Sequence, residues 1–183
     1  MFKIIRQIGF FLVILLHLLF IMAIFIERTD NLWILGFIGL TALLISVSYY
    51  NAPKEEEAHF VEDAFVILFV ITGGLATYCL NINLNIGPVL AASLVGLLAS
   101  FIPFLKINTS LVKEVPEATY CGAFVGMTAP QVATDIKFIL FASFMTGAMF
   151  LLCKNVFNGF GGKLGTIAFG GVAVTYFILF LLF

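Results

Sequence analysis

The stretch that decides the fold is MTGAMFLLCKNVFNGFGGKLGTIAFGGVA, residues 145–173, because the chain holds a second copy of its pattern. That copy is ITGGLATYCLNINLNIGPVLAASLVGLLA, residues 71–99. With a shift of 74 residues (146 − 72) and no gap, eight positions carry the same residue, namely Thr72/Thr146, Gly73/Gly147, Cys79/Cys153, Asn81/Asn155, Gly87/Gly161, Leu90/Leu164, Gly96/Gly170 and Ala99/Ala173. Most of these are not the leucine, isoleucine and phenylalanine that any two apolar segments share. An internal repeat sets the architecture, so we interpret the chain as a duplicated helical unit.

The composition places the duplicated unit in a membrane. Of the 183 residues, 62% are hydrophobic and 10% are charged, and the mean hydropathy is +1.17. Soluble domains are typically about 45–50% apolar and about 25% charged. We therefore predict an all-α polytopic protein that forms one transmembrane domain over residues 1–183, with the lipid bilayer as its surroundings. A net charge of −1 argues against a nucleic-acid partner.

Apolar runs of about 20 residues predict most of the helices directly. The first run is too long for the apolar part of a signal peptide, so we interpret it as a spanning helix. Residues 107–130 are ambiguous, because a polar half precedes only eleven apolar residues. Hydropathy alone favours six helices and a re-entrant segment at 119–130. The unambiguous helices are predicted at about 7–26, 32–50, 64–81, 87–105, 134–153 and 164–183.

The repeat resolves the ambiguous segment in favour of a seventh helix. Unit one would cover about 33–106 and unit two about 107–180, so helix 2 corresponds to residues 107–130. A helix at about 110–129 then gives one helix plus two units of three. Because a unit of three crossings has odd parity, the second unit would be inverted. Seven crossings also place most lysines and arginines on the side of the N-terminus, which predicts a cytoplasmic N-terminus, an outside C-terminus and a plasma or inner membrane.

No motif points to an enzyme, a metal or a cofactor. The sequence has no HExxH and no GxSxG. The stretch Gly162-Lys163 is followed by Leu164 rather than by the Ser or Thr of a phosphate-binding loop, so Lys163 is expected to anchor the cytoplasmic end of helix 7. Cys79 and Cys153 would lie on opposite membrane faces, too far apart to share an ion.

Glycines are the first class of candidate residues. Small residues allow helices to approach closely in lipid, and breaks in helices are tolerated there only where they are buried or line a wet cavity. We expect nine glycines either to pack helices together or to mark a helix break beside a path. Two GxxxG patterns are among them. The set is Gly73, Gly87, Gly96, Gly122, Gly126, Gly147, Gly161, Gly165 and Gly170.

Polar residues within the predicted spans are the second class. Ionisable groups in a membrane are costly and mark functional positions. Helix 5 carries Lys113, Glu114 and Glu117, of which Lys113 and Glu117 are four residues apart and would share one helix face. His17 lies in the middle of helix 1. Thr72 and Thr146 are repeat-matched threonines that each precede a glycine.

The arrangement of one plus three plus three helices resembles inverted-repeat channels and transporters in general, such as the trimeric intracellular cation channels. The likeness is one of architecture. It implies a path for an ion or small polar solute between the two units, and we expect the chain to form a homo-oligomer. The alternative is a non-catalytic membrane subunit or scaffold that binds a membrane-protein partner through the acidic loop 54–63.

Overall fold

The computed structural model describes residues 2–27, 32–50, 62–105, 110–154, 156 and 161–182. Over these residues the chain is helical and contains no strand. Two short 3₁₀ segments, Glu62–Phe65 and Ile102–Leu105, flank the third and fourth helices. The seven α-helices are α1 (Phe2–Glu27), α2 (Leu32–Tyr50), α3 (Val66–Ile82), α4 (Pro88–Ser100), α5 (Ser110–Gly126), α6 (Ile136–Cys153) and α7 (Lys163–Leu182). Most of the acidic loop and residues 106–109 lie outside the described residues.

The predicted seventh helix is confirmed, because α5 is one helix from Ser110 to Gly126. Pro116 lies inside it without ending it. A proline removes one backbone hydrogen bond and usually disturbs a helix. The residues that follow Pro116 pack closely on α3 at Gly122 and Gly126. Residues 119–126 continue α5 rather than forming a re-entrant hairpin.

The axis of the bundle is a crossing of α3 and α5 at which the two backbones touch. A Cβ added at Gly122 would overlap the carbonyl oxygen of Val70, and one at Gly126 would overlap that of Gly74. In the other direction, a Cβ at Gly73 would overlap the carbonyl oxygen of Thr119. These glycines permit an approach that any side chain would block. Gly122 contacts Val70, and four residues later Gly126 contacts Gly74. Residue numbers therefore increase in the same direction along both helices, so α3 and α5 run parallel.

Helix α6 packs against both α3 and α7 and runs antiparallel to each of them. Gly147 packs against Ile67 of α3, and Gly170 lies against Met149 of α6. The main buried core extends from this junction into α1, α3, α5, α6 and α7, and Ala92 and Val95 of α4 form a second cluster with Ala123 of α5. The fully buried apolar residues of the bundle include Val13, Val66, Val70, Val115, Ile139, Ala142 and Ile167.

Helices α4 and α1 cover opposite sides of this centre. Gly96 of α4 faces the ring of Tyr120 on α5. Gly9 of α1 meets the carbonyl of Leu152 on α6, and Leu16 meets Gly170 of α7. These contacts make α1 parallel to α7. The starts of α1, α3, α5 and α7 and the end of α6 therefore lie at one end of the bundle, which we name the basal end.

Helix α2 is peripheral. None of its residues 32–47 is buried, and among the described residues it packs along α1. Its repeat counterpart, α5, packs against α3, α4, α6 and α7. The two repeat-related helices thus have different surroundings, and the inverted relation between the units stays a prediction.

The helical hairpins α3–α4 and α6–α7 share a local feature. Each second helix follows a glycine with φ of +87°, Gly87 before α4 and Gly162 before α7. Only glycine adopts this backbone region without strain. The equivalence is displaced by one residue from the sequence alignment, which pairs Gly87 with Gly161.

Three helical segments, residues 7–26, 136–153 and 163–182, are long and apolar enough to cross a membrane. Shorter apolar helices cover 32–47, 66–82 and 88–104. Helix α5 is in neither group. Its weak apolarity fits its position, because its neighbours rather than lipid surround much of it.

Candidate functional site

A charged cluster lies at the basal end, where α5, α6 and α7 meet. Lys154 caps the C-terminus of α6 and its Nζ forms an ion pair with the Glu114 carboxylate of α5. About four-fifths of each side chain is buried, with 23% and 20% exposed. We name Glu114, Lys154 and Lys163 the basal cluster.

Lys163, the first residue of α7, is the most buried member of the cluster, with 9% of its surface exposed. Its Nζ donates a hydrogen bond of 2.9 Å to the carbonyl oxygen of Lys154. The last carbonyls of a helix lack partners within the helix, so the ammonium group satisfies one of them. A cation at a helix N-terminus is opposed by the helix dipole. Lys163 is therefore held against both desolvation and the dipole. Its bond to Lys154 joins the start of α7 to the end of α6, and its role as an anchor of the cytoplasmic end of helix 7 stays a prediction.

Two buried thiols lie beside this cluster. The Sγ of Cys121 donates to the carbonyl oxygen of Leu164 at 3.4 Å, and the Sγ of Cys153 donates to that of Gly9 at 3.7 Å. These contacts tie α5 to α7 and α6 to α1. Cys79, the repeat partner of Cys153, is half-buried on α3.

Four hydroxyl side chains are fully buried inside the bundle. They come from three helices and none has a hydrogen-bond partner among the described residues. They are Thr77 of α3, Ser143 and Thr146 of α6, and Thr175 of α7. We name this set the hydroxyl core.

Hydroxyls on outer faces of the bundle behave differently. Ser46 donates to Ala42, Thr72 to Phe69 and Ser93 to Val89, each to a carbonyl three or four residues earlier in its own helix. Such a bond is available to any helical serine or threonine. The four hydroxyls of the core do not use it, although burial makes a missing bond more costly for them.

The core hydroxyls on α6 point into notches left by glycines. A Cβ at Gly74 of α3 would overlap the Oγ of Ser143, and one at Gly171 of α7 would overlap the Oγ1 of Thr146. At Gly126 of α5, an added Cβ would overlap the Cβ of Thr77. The glycines thus bring hydroxyl-bearing side chains of neighbouring helices into contact with backbone.

The structure separates the predicted polar residues. Glu114 belongs to the basal cluster and Thr146 to the hydroxyl core, whereas Thr72 is exposed on α3. Lys113 and Glu117 are also exposed, and neither forms an ion pair with another described residue. The predicted pairing of Lys113 with Glu117 is replaced by that of Glu114 with Lys154.

His17 lies apart from the basal cluster and the hydroxyl core, between α1 and α7. Its Nδ1 is 3.4 Å from the Oγ1 of Thr166, which also donates to the carbonyl oxygen of Gly162 at 3.1 Å. These three residues line a cavity of about 230 Å³ together with Gly165, Phe20 and Phe169. The two phenylalanine rings meet edge to face at 5.4 Å between centroids.

The predicted glycines also divide into two groups. Gly73, Gly96, Gly122, Gly126, Gly147 and Gly170 meet side chains or backbone of another helix. At Gly87, Gly161 and Gly165, an added Cβ would meet no described atom within 4 Å. The first group is positioned for packing, and the second lies at or near the starts of α4 and α7.

Sequence reasoning missed Thr77, Ser143, Thr175 and Lys154 as candidates. A signal existed for two of them. Ser143 precedes Thr146 by three residues, so both lie near one side of α6. Thr77 follows Gly74 by three residues in the same way. Nothing in the sequence singled out Lys154.

In comparisons with protein-family models, curated proteins and solved structures, no match to the chain is found. Among the described residues, no group of three or more His, Cys, Asp or Glu side chains is placed to hold a metal ion. The basal cluster and the hydroxyl core are the candidate functional residues among those that the structure describes.

Proposed function

We propose that the chain is an integral membrane channel or transporter for an ion or small polar solute. Its path follows the contact of α3 and α5 with α6 and α7, from the basal cluster into the hydroxyl core. Thr77 belongs to the first repeat unit, whereas Ser143, Thr146 and Thr175 belong to the second. The path therefore lies between the two units.

The observation that carries this proposal is the hydroxyl core. A buried polar group without a partner costs about 1–3 kcal/mol, and a helical serine or threonine can in general bond to a carbonyl three or four residues earlier. A protein that only packed its helices would bond these hydroxyls or replace them with apolar residues. Unpartnered hydroxyls are favoured where a passing solute or water supplies the missing hydrogen bond.

The direction of the helices supports a membrane topology. Since α1, α3, α5 and α7 run parallel and α6 runs against them, the N-terminus and the end of α7 lie at opposite ends of the bundle. The basal cluster lies at the end where α1 begins. The lysine and arginine distribution makes this the cytoplasmic end of the proposed membrane protein.

The test is a flux assay on purified protein in liposomes, with K⁺, Na⁺, H⁺ and Cl⁻ measured separately. Thr146→Val removes one core hydroxyl while keeping the shape of the side chain. We expect flux to fall about fivefold, the effect of one lost hydrogen bond. The fold should be at least as stable as before, because an unpartnered buried hydroxyl is removed.

Thr72→Val is the matched control, because Thr72 is the repeat partner of Thr146 but is exposed and bonded to the Phe69 carbonyl. Its flux should equal that of the unmodified protein. Equal flux in both variants would place the path elsewhere. No flux for any of the four ions, in protein that is folded and inserted, would contradict a role as a channel for these ions.

A second candidate function, a non-catalytic subunit of a membrane complex, is favoured by α2. This helix buries none of its residues 32–47, and an added Cβ at Gly36 or Gly39 would meet no described atom within 4 Å. It also leads directly into the acidic loop. Stoichiometric co-purification of another membrane protein, together with absence of flux, would support this function over the first.

A further inference from the structure

We infer that the cavity between α1 and α7 is a binding site for the hydroquinone head of a membrane-soluble quinone. The cavity lies apart from the proposed path, so the site does not depend on the proposed function. The inference follows from the depth at which the cavity lies, from its size and from the one hydrogen bond that it leaves open.

The depth of the cavity decides what can enter it. His17 lies about ten residues, or about 15 Å of helix, from the start of the apolar segment 7–26, which is half the hydrocarbon thickness of about 30 Å. Phe20 and Phe169 line the same cavity and keep 48% and 40% of their surface exposed. In a membrane these exposed rings face lipid. The ligand therefore enters from within the bilayer and is itself soluble in lipid.

The size of the cavity fits a single substituted ring. Its volume is about 230 Å³, whereas an apolar cavity of about 150 Å³ is large enough for benzene. Phe20 and Phe169 meet edge to face, and aromatic rings add to one another in such offset arrangements. A Cβ at Gly165 would meet no described atom within 4 Å, so the α7 side of the cavity is flat and open. These walls suit a planar ring.

One hydrogen bond in the cavity is left open, and it requires a donor. The Thr166 hydroxyl gives its one proton to the carbonyl oxygen of Gly162 at 3.1 Å. Its contact of 3.4 Å with His17 then places a proton on Nδ1, a tautomer that we assign from these two contacts. A hydroxyl oxygen has two lone pairs, and no other described residue donates to this one. The second lone pair accepts a hydrogen bond from the ligand.

A hydroquinone combines the three required properties. Its ring packs against Phe20 and Phe169, one ring hydroxyl donates to the Thr166 oxygen, and its apolar tail extends into lipid. The oxidised quinone has carbonyl oxygens in place of the hydroxyls and therefore offers no donor. A sterol also carries a hydroxyl, but its four fused rings need more room than a cavity sized for one ring.

The experiment measures equilibrium binding of a decyl-tailed hydroquinone to the purified full chain in lipid nanodiscs, with dithionite present to keep it reduced. Empty nanodiscs give the amount that partitions into lipid. We expect saturable binding above this background. The oxidised quinone, measured without dithionite, should bind about fivefold more weakly, the effect of one lost hydrogen bond.

Thr166→Val removes the accepting oxygen and keeps the shape of the side chain. It should weaken hydroquinone binding about fivefold and leave binding of the oxidised quinone unchanged, so that the preference for the reduced form disappears. Thr72→Val is the matched control, because Thr72 is exposed on α3 and bonds to the Phe69 carbonyl of its own helix. It should bind both forms as the unmodified protein does.

Gly165→Leu tests the cavity itself. The new side chain would project into the open space and should abolish saturable binding. Gly36→Leu is its control, because an added Cβ at Gly36 of α2 also meets no described atom within 4 Å and Gly36 is not among the residues that line the cavity. If Gly165→Leu does not fold, Thr166→Val and the comparison of the two redox forms decide the question.

Three results would overturn the inference. They are binding of hydroquinone no greater than in empty nanodiscs, equal affinity for the two redox forms, and unchanged hydroquinone binding in folded Thr166→Val or Gly165→Leu. Saturable binding of cholesterol without binding of hydroquinone would assign the cavity to a sterol and also overturn it. None of these measurements uses ion flux, so the proposed function is decided separately by its own assay.

Discussion

At the scale of single residues, the packing of the helices depends on the space around individual glycines. Gly122 has no room for one additional carbon, because the Val70 carbonyl of α3 occupies that position. Gly165 has open space around the equivalent position. A larger side chain therefore does not fit at the first position and fits at the second. The neighbouring atoms cause this difference, since both glycines lie within helices.

This difference gives a direct prediction for Gly122→Ala and Gly165→Ala. Gly122→Ala should destabilise the fold by about 1–3 kcal/mol, the usual cost of overpacking. Gly165→Ala should be neutral or slightly stabilising, because alanine favours the helix. Thermal unfolding in detergent measures both. Equal melting temperatures for the two variants would show that α3 and α5 do not meet at Gly122.

Burial also separates residues that the sequence presents as equivalent. Thr72 and Thr146 occupy matched positions in the repeat, yet one bonds to its own helix on an outer face and the other is enclosed between α6 and α7. The sequence predicted both as polar lining. The structure leaves Thr146 as the member of the pair on which the proposed path depends.

At the scale of elements, α5 decides the topology. It is the least apolar of the predicted spans, and hydropathy alone favours a re-entrant segment at 119–130 instead of a seventh helix. In the structure, α5 packs along α3. The repeat, which pairs this segment with helix 2, was the better guide here than hydropathy, which reports exposure to lipid.

The crossing by α5 can be tested with cysteines placed at its two ends. Lys113→Cys and Ala129→Cys both replace exposed residues. In sealed vesicles, a membrane-impermeant maleimide should reach position 113 only from the cytoplasmic side and position 129 only from the other side. The unmodified protein gives the background from its three native thiols. Labelling of both positions from one side would remove α5 as a crossing and end the inverted-repeat model.

At the scale of the whole molecule, the seven described helices differ in how far they are buried. Helices α3, α5, α6 and α7 form the packed centre, and α1 and α4 cover it. Helix α2 adds almost nothing to the interior. Large apolar side chains on its surface, such as Trp33 with 90% exposure, require lipid or another protein around them.

We predict that α2 contacts a second copy of this chain, as expected for a homo-oligomer. Gly36→Cys, at an open glycine of α2, should form a disulfide-linked dimer under mild oxidation in the membrane. Leu98→Cys, at an exposed position of α4, should stay monomeric. Non-reducing gel electrophoresis distinguishes them. Equal dimer yields from both positions would indicate random collision rather than an interface.

The sequence by itself determined the number of helices, most of their bounds and six of the glycines on which they pack, whereas the packing glycines Gly9, Gly74 and Gly171 were not predicted. These properties are local, since the length of an apolar run and the spacing of small residues do not depend on distant parts of the chain. The repeat added the one helix that hydropathy left in doubt. Glu114 and Thr146 were among the polar residues that the sequence singled out, and their roles stay predictions.

Only the tertiary structure decided which polar groups meet. It paired Glu114 with Lys154 instead of pairing Lys113 with Glu117. It buried Lys163 at the junction of α6 and α7, and it placed α2 at the edge while its counterpart α5 lies in the centre. Each outcome depends on how the helices rotate about their axes and where they cross. Close glycine contacts between distant segments set those rotations, and the spacing of residues along one helix does not contain them.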